Sequence, residues 1–347
     1  MDFSLALAQV QESGRMLDGF RAPLAAGVVA LIVAWIFTPL VRKMAFRHGA
    51  VDDPKRDDRR IHKEPLPRWG GIAIYLGILI SLAVILPMAF PVSTAFPIYL
   101  VAMLLIAGIL IVVGALDDLF QYSAKIQLLV LLGAGVAIQF LFDDIGRVQI
   151  STLGVPFTSY YLDFKAWYLA VPITAIYIFV VTKTMDTIDG VDGLASGIAA
   201  ISAATLSVMA TYEGQPRVAL IAAAIGGASL GFLRHNYNPA KIIMGTGGAY
   251  VLGFMLACLS IVGALKTAAA IAILIPILVF GVPIFDAMFV IIRRIMSGQP
   301  ITQADKRHVH HTLLGRGLSQ RQTVWVLYSV AATLCAVLLA LVVTQHG

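Results

Sequence analysis

The sequence predicts an all-α polytopic membrane protein with about ten transmembrane helices, and three observations carry that prediction. Of the 347 residues, 59% are hydrophobic and 13% charged, against about 25% charged in an average soluble domain; too few polar groups exist to cover a soluble surface. The apolar residues gather in runs near the roughly 20 residues that a helix needs to cross a bilayer core of about 30 Å. The basic residues are segregated, with 19 of the 25 Lys and Arg in alternate connections between those runs. The same composition excludes a disordered chain. The two cysteines, Cys258 and Cys335, both lie in apolar runs and read as packing residues, which excludes a disulfide scaffold. The pI of about 9.3 is loop charge that sets orientation, with no nucleic-acid partner implied.

Residues 1–21 carry Glu12, Arg15, Asp18 and Arg21. Their apolar stretch from Phe3 to Val10 is too short to span and lacks a signal peptide's basic flank, so it reads as a short interfacial or mobile segment outside the cytoplasm. A single transmembrane domain follows over 22–344, with spans at 22–41, 70–90, 96–116, 126–142, 166–182, 194–212, 218–233, 247–265, 268–292 and 323–344. Pro276 and Pro283 fall inside the ninth, which should be bent or broken. The positive-inside rule places the basic connections, those after spans 1, 3, 5, 7 and 9, in the cytoplasm and both termini outside. The one long external connection, 143–165, contains an alternating stretch and a Gly154-Val155-Pro156 turn, which predict a small β-hairpin near 148–158. No inverted internal repeat of the transporter kind is evident.

Chemistry-bearing residues concentrate in the cytoplasmic connections. The first holds His62 and Arg68 in a stretch stiffened by Pro65, Pro67 and Gly70-Gly71; basic groups fixed at the headgroup plane can bind phosphate. The third span ends on Asp117-Asp118, with Lys125 opening the next. Adjacent carboxylates repel one another and face the negative end of the helix dipole, so the pair suits a divalent cation or, with Lys125, an incoming phosphate. After span 5, Asp186, Asp189 and Asp192 recur every third residue beside Gly190 and Gly193. That much like charge implies a cation or a basic partner, but the spacing is not an EF-hand loop. The connection into span 8 runs from Asn238-Pro239-Ala240-Lys241 to Gly245-Thr246-Gly247-Gly248, a helix start whose amides could cradle phosphate. The last places Asp286 before Arg293-Arg294 and then His308, His310 and His311. Their spacing matches no zinc motif, and the surrounding charge favours pyrophosphate recognition.

Taken in order, these motifs resemble the polyprenyl-phosphate N-acetylhexosamine-1-phosphate transferase family. The resemblance runs from Val51 to about Leu314, through Ile61-His62-Lys63-x-Pro65-Leu66-Pro67-Arg68-x-Gly70-Gly71, Leu116-Asp117-Asp118 with Lys125, Asp189-Gly190-Val191-Asp192-Gly193-Leu194, Asn238-Pro239-Ala240-Lys241 to Gly245, Phe285-Asp286 with Arg293-Arg294, and Asp305-Lys306-x-His308-x-His310-His311. The His-x-His-His form is similar to the undecaprenyl-phosphate N-acetylglucosamine-1-phosphate branch. The resemblance implies a cytoplasmic-face active site in a bacterial inner-membrane enzyme that transfers N-acetylglucosamine 1-phosphate from UDP-N-acetylglucosamine to undecaprenyl phosphate and releases UMP. This would be the first lipid-linked step of a surface polysaccharide. It also implies Mg2+, with Mn2+ as the substitute, and a homodimer as a common family state.

On this basis Asp117, Asp118, Lys125, Asp189 and Asp192 are the candidate catalytic residues. His62, Arg68, Asn238, Lys241, Arg293, Arg294, His308, His310 and His311 are candidates for substrate. The sequence departs from the family twice: Asp186 stands where Asn is common, and Thr246 stands where the Asp of a Gly-Asp-x-Gly-Ser motif contacts the metal. We expect the metal ligand to have moved to Asp186, with Asp117 or Asp118 contributing and Thr246 a neutral ligand at best; the opposing reading is a degraded site. Another UDP-N-acetylhexosamine as donor, or a non-catalytic lipid-phosphate binding or transport protein, are the alternatives.

Overall fold

The computed structural model describes residues 3–52, 65–154, 161–164, 166–264, 274–296 and 308–346. Among them, eight helices are long and apolar enough to cross a membrane, so the chain is a mostly helical, multi-pass membrane protein. The first, α1 (Phe3–Arg47), runs without a break through Pro23 and Pro39, so residues before 22 continue the first span's helix. The others among the eight are α2 (Gly70–Ala89), α4 (Ile98–Phe120), α6 (Trp167–Ile188), α7 (Leu194–Tyr212), α8 (Pro216–Asn236), α9 (Gly245–Ala264) and α13 (Gln320–His346); α3 (Val92–Ala95) is a single turn.

Two of the ten expected spans take a different form. The fourth, expected over 126–142, is α5 (Ala124–Ala137), which tightens into a 3-10 turn over Ile138–Phe140. At about 1.5 Å per residue this helix falls short of a full bilayer core. The ninth is divided at Phe280 into α10 (Leu274–Val279) and α11 (Gly281–Met296), a break between the two prolines that predicted it. A further short helix, α12 (Val309–Gly315), precedes α13.

Small residues let the helices approach closely. A Cβ on Gly227 would collide with the backbone of Gly27, and one on Gly231 with that of Leu31, which fixes α8 against α1. The central helix is α9, buried along nearly its whole length by α2, α4, α6, α7 and α8. It can be buried all round because it is apolar all round. Cys258 lies on it and Cys335 on α13, both buried and free.

Two short antiparallel pairs complete the fold. β1 (Val51–Asp52) pairs with β2 (Leu66–Pro67), returning the chain after α1 to the start of α2. β3 (Thr152–Gly154) pairs with β4 (Tyr161–Asp163), a few residues later than the hairpin expected near 148–158. The connections that hold the charged motifs meet at one end of the bundle, where Arg68 contacts Asp118 and Asp192 contacts Asn238. The remaining connections meet at the other, where Arg217 reaches Thr94 and Ile98 reaches Asp143.

Candidate active site

The site is assembled on the last turns of α4 and α6, the first turn of α9 and the strand that leads into α2. Arg68 is placed by its backbone. Its N–H donates to the Ala50 carbonyl at 2.9 Å, and Trp69 adopts a left-handed conformation (φ 77°) while its indole N–H donates to the Ala115 carbonyl at 3.0 Å. The following amides of Gly70 and Gly71 bond to the Ile243 and Met244 carbonyls, tying the entrance of α2 to the entrance of α9. The guanidinium thus sits 3.3 Å from Asp118 Oδ1 and 3.5 Å from Asp52 Oδ1. Burial alone would lower the Arg68 pKa, but Asp118, Asp52, Asp189 and Asp186 more than offset it, leaving the pKa above its ordinary value. Arg68 is the common counter-ion of the cluster.

Asp117 and Asp118, adjacent on α4 and both buried, face different partners. Asp117 accepts from the Tyr122 amide at 2.8 Å and from the Gln127 side-chain amide at 3.2 Å. Gln127, one turn into α5, in turn accepts from Lys183 Nζ at 2.7 Å, and the same ammonium lies 2.6 Å from Asp186 Oδ2. A continuous chain Asp117–Gln127–Lys183–Asp186 therefore links three helices. The lysine at the carboxylates is Lys183; Lys125 is exposed, about 200° round α5 from Gln127.

Asp118 and Asp189 both turn to the start of α9. Asp118 Oδ1 accepts from the Thr246 amide at 3.2 Å, while Asp189 accepts from the Gly245 amide. These are the amides that the sequence offers to a phosphate, and the chain's own carboxylates take them, a stable arrangement at the positive end of the helix dipole. The glycines serve close approach instead. Gly245 (φ 77°) has no room for a Cβ beside Asp118 Oδ2, and Gly247 and Gly248 let α9 touch Gly114 of α4 and Gly71 of α2. Burial, then the neighbouring Asp186, pushes the Asp189 carboxyl well above the usual carboxylate range, with Arg68 opposing the shift.

Asp192 acts one step away. Its Oδ2 accepts from the Asn238 side chain at 2.9 Å and from the Ala240 amide at 3.0 Å, and Asn238 also donates to Gln320 at 2.7 Å. With Gly193 (φ 80°) held by Asn236 and Tyr328, this pairing fixes the loop between α6 and α7 against that between α8 and α9. Lys241 is exposed on the second of these loops.

The histidines form a second cluster beside this loop. His308 Nδ1 lies 2.9 Å from Asp286 Oδ2, and Asp286 Oδ1 accepts from the Val309 amide at 2.6 Å, which anchors the start of α12 to α11. His310 is buried between His308 (ring centroids 5.6 Å apart) and His311 (4.4 Å), with its Nε2 beside Gly190. Burial, and then His311, push His310 down to about 4. The shift favours the uncharged imidazole in the bare chain. Arg294 is buried and Arg293 lies over Phe289 on α11. His62, Asp305, Lys306 and Arg307 lie outside the described residues.

Among the described residues, no three carboxylate, imidazole or thiol groups converge on one point that could hold a metal ion. Mg2+ does not require three; it commonly takes one or two carboxylates and fills its remaining positions with water and substrate phosphate. Asp118 Oδ2 meets that requirement, being buried with no hydrogen-bond partner among the described residues. An unpaired carboxylate oxygen in a dry interior is costly unless a cation or donor reaches it. Asp186 uses Oδ2 for Lys183, so the carboxylate it adds to the site comes with its own counter-ion. The donor set fits a cation held chiefly by Asp118. Gln127 and Lys183 were not among the candidates, although an amide inside an apolar span and a lone lysine before three aspartates are both visible in the sequence.

Comparison with known proteins gives the family. Residues 99–264 match the model of glycosyl transferase family 4. Over 303 residues the chain is 38% identical to a Bacillus subtilis protein named as a probable undecaprenyl-phosphate N-acetylglucosaminyl 1-phosphate transferase, covering 87% of this chain and 80% of the relative. It is 32% identical over 335 residues to the decaprenyl-phosphate N-acetylglucosaminephosphotransferase of Mycolicibacterium smegmatis (87% and 78%). The undecaprenyl-phosphate alpha-N-acetylglucosaminyl 1-phosphate transferase of Escherichia coli is 27% identical over 314 residues (88% and 81%). Helices that cross a membrane, a buried carboxylate cluster at their loop end and this likeness along most of the sequence together make the chain a membrane-bound sugar-phosphate transferase that belongs to glycosyl transferase family 4.

Proposed function

We propose that the chain transfers N-acetylglucosamine 1-phosphate from UDP-N-acetylglucosamine to undecaprenyl phosphate, with release of UMP, at the cytoplasmic face of a bacterial inner membrane. The observation that carries this reading is the set of buried Asp117 and Asp118 and half-buried Asp186 and Asp189 around Arg68 and Lys183, with one Asp118 oxygen unbonded among the described residues. The relatives' names supply the acceptor class and the sugar.

In the proposed reaction an oxygen of the lipid phosphate forms a bond to the β-phosphorus, and the bond to the bridging oxygen breaks, so that UMP leaves with the electron pair. Both reactants are anions, and mutual repulsion is the main obstacle. A cation on Asp118, with Asp117 or Asp186 in support, would screen that repulsion. Lys183 adds a positive charge that Asp186 and Gln127 hold in place, and Arg68 adds another. A phosphate monoester has a second pKa of about 6 and is largely dianionic at pH 7, so no strong general base is needed. Asp117, committed to Gln127 and the Tyr122 amide, orients this network.

Arg293, Arg294 and His311 would bind the diphosphate and sugar, while His310 and Asp286 would shape the loop that presents them. The lipid tail would lie along α11, whose outer face presents Phe285, Phe289, Ile292 and Met296 while Asp286 and Arg294 point inward. The test is UMP release by the purified protein given UDP-N-acetylglucosamine, undecaprenyl phosphate and Mg2+. Release that needs both lipid and metal supports the reading. Release with another UDP-N-acetylhexosamine alone would change the donor, and no release from folded protein with any of them would overturn the reading.

A further inference from the structure

Tyr250 lies one turn into α9 and is 1% exposed, yet among the described residues its hydroxyl has no hydrogen-bond partner. Phe would fill the same space without burying a polar group, so the hydroxyl costs stability unless something absent from the bare chain uses it. Its electrostatic neighbours identify the place: Asp186, Asp117 and Asp118. Thr246, four residues earlier and therefore on the same face of α9, is the residue that holds Asp118 Oδ1. Asp118 Oδ2 is itself buried and unbonded. A donor and an acceptor thus occupy one interior region, each lacking a partner among the described residues, and they do not bond to one another. A third group between them would complete both: a cation on the carboxylate oxygen, carrying an oxygen that the phenol can reach.

We propose that Tyr250 is a positioning residue whose hydroxyl hydrogen-bonds an oxygen in the coordination sphere of the divalent cation held by Asp118. This rests on the cation reading given under Proposed function. The oxygen is either a metal-bound water or a phosphate oxygen of the UDP-sugar, and the two have different signatures.

The experiment titrates Mn2+ against full-length protein in detergent, following free Mn2+ by electron paramagnetic resonance with and without UDP-N-acetylglucosamine. Wild type, Tyr250→Phe and Asp118→Asn are compared, and thermal unfolding is recorded in EDTA. Tyr250→Phe is expected to unfold in EDTA at the same temperature as wild type or higher, because it loses an unpaired hydroxyl. Its Mn2+ affinity is expected to fall by roughly tenfold, the size of one hydrogen bond to a charged assembly. Weakening with Mn2+ alone assigns the oxygen to water; weakening only with the UDP-sugar assigns it to phosphate. Unchanged affinity in both arms overturns the proposal, as does a lower unfolding temperature in EDTA with unchanged affinity, which marks the hydroxyl as structural. Failure of the cation reading looks different: wild type binds no Mn2+, or Asp118→Asn binds as wild type does, and the proposal falls with it.

Discussion

At the loop end of the bundle, Asp117, Asp118, Asp186 and Asp189 gather at the ends of two helices around Arg68 and Lys183, whereas at the opposite end Asp143, Arg147 and Arg217 meet backbone groups and aromatic rings rather than charges of opposite sign. There, Asp143 accepts from the amides of Ile98, Ile145 and Gly146. Arg147 lies over Phe142 at 4.4 Å, and Arg217 lies over Phe90 at 4.2 Å while donating to the Thr94 carbonyl at 3.1 Å. The Nε of each arginine has no hydrogen bond, but an aromatic face beneath the guanidinium compensates for the charge. Polar groups at that end close loops. At the site end, carboxylates on α4 and α6 gather around Arg68, ahead of α2, and Lys183 of α6, and among the described residues Asp118 Oδ2 and the Tyr250 hydroxyl remain open. Burial of charge alone therefore does not mark a site; burial with unmet bonding capacity across several helices does.

The strongest way to break this comparison is Asp118→Asn. The amide can still accept from Thr246, so the fold is kept, but the anionic oxygen offered to a cation is lost and Arg68 keeps a weaker counter-ion. UMP release is expected to fall by about 100-fold or more, as when a central electrostatic group is removed from other active sites. A loss of only a few-fold, in protein that unfolds at the wild-type temperature, would mean that the open oxygen has no part in turnover.

How far the sequence already spoke depends on whether a feature is local. The spans were readable because apolar runs report burial directly, and the break at Phe280 because two prolines sit either side of it. Asp117-Asp118 and the aspartates after α6 stood out because like charges at a helix end need a reason. Arg68 stood out because Pro67 and Gly70-Gly71 stiffen its surroundings. Lys183 and Gln127 did not, since their meaning lies in a contact 56 residues apart in sequence. The Gly245-Thr246 amides were read as phosphate donors, because nothing local reveals that Asp118 and Asp189 fold back onto them. The short α5 looked like a full span because its apolar run continues past the helix into the 3-10 turn.

A smaller effect sharpens the electrostatic side of the comparison. Asp189 has a pKa raised in the folded protein, so the folded state holds that proton more tightly than the unfolded chain does. Ionising it costs stability above the unfolded value of about 4, and the cost grows as pH rises from there toward the folded pKa. Asp189→Asn keeps an acceptor for the Gly245 amide and removes the charge. In EDTA it should raise the unfolding temperature at pH 7 by about 2 °C, with the gain gone near pH 4. An equal gain at both pH values would mean that packing, not charge, is responsible.

The smallest effect belongs to the opposite end. Arg217→Lys keeps the positive charge but loses the planar guanidinium over Phe90 and the aimed N–H toward Thr94. Lysine is a compact, rotatable point charge and does not replace a stacked, forked donor. The expected cost is about 1 kcal/mol, within the range for a partly buried cation–aromatic contact, with UMP release unchanged. Arg217 also lines a cavity of about 100 Å³ with Tyr99, Gly146 and Gln215, so the substitution tests whether that end does more than hold helices together. A drop in turnover without a drop in unfolding temperature would show that a polar group distant from the carboxylates takes part in the reaction cycle, and partnering by backbone and aromatic groups would then cease to be the property that separates the two ends.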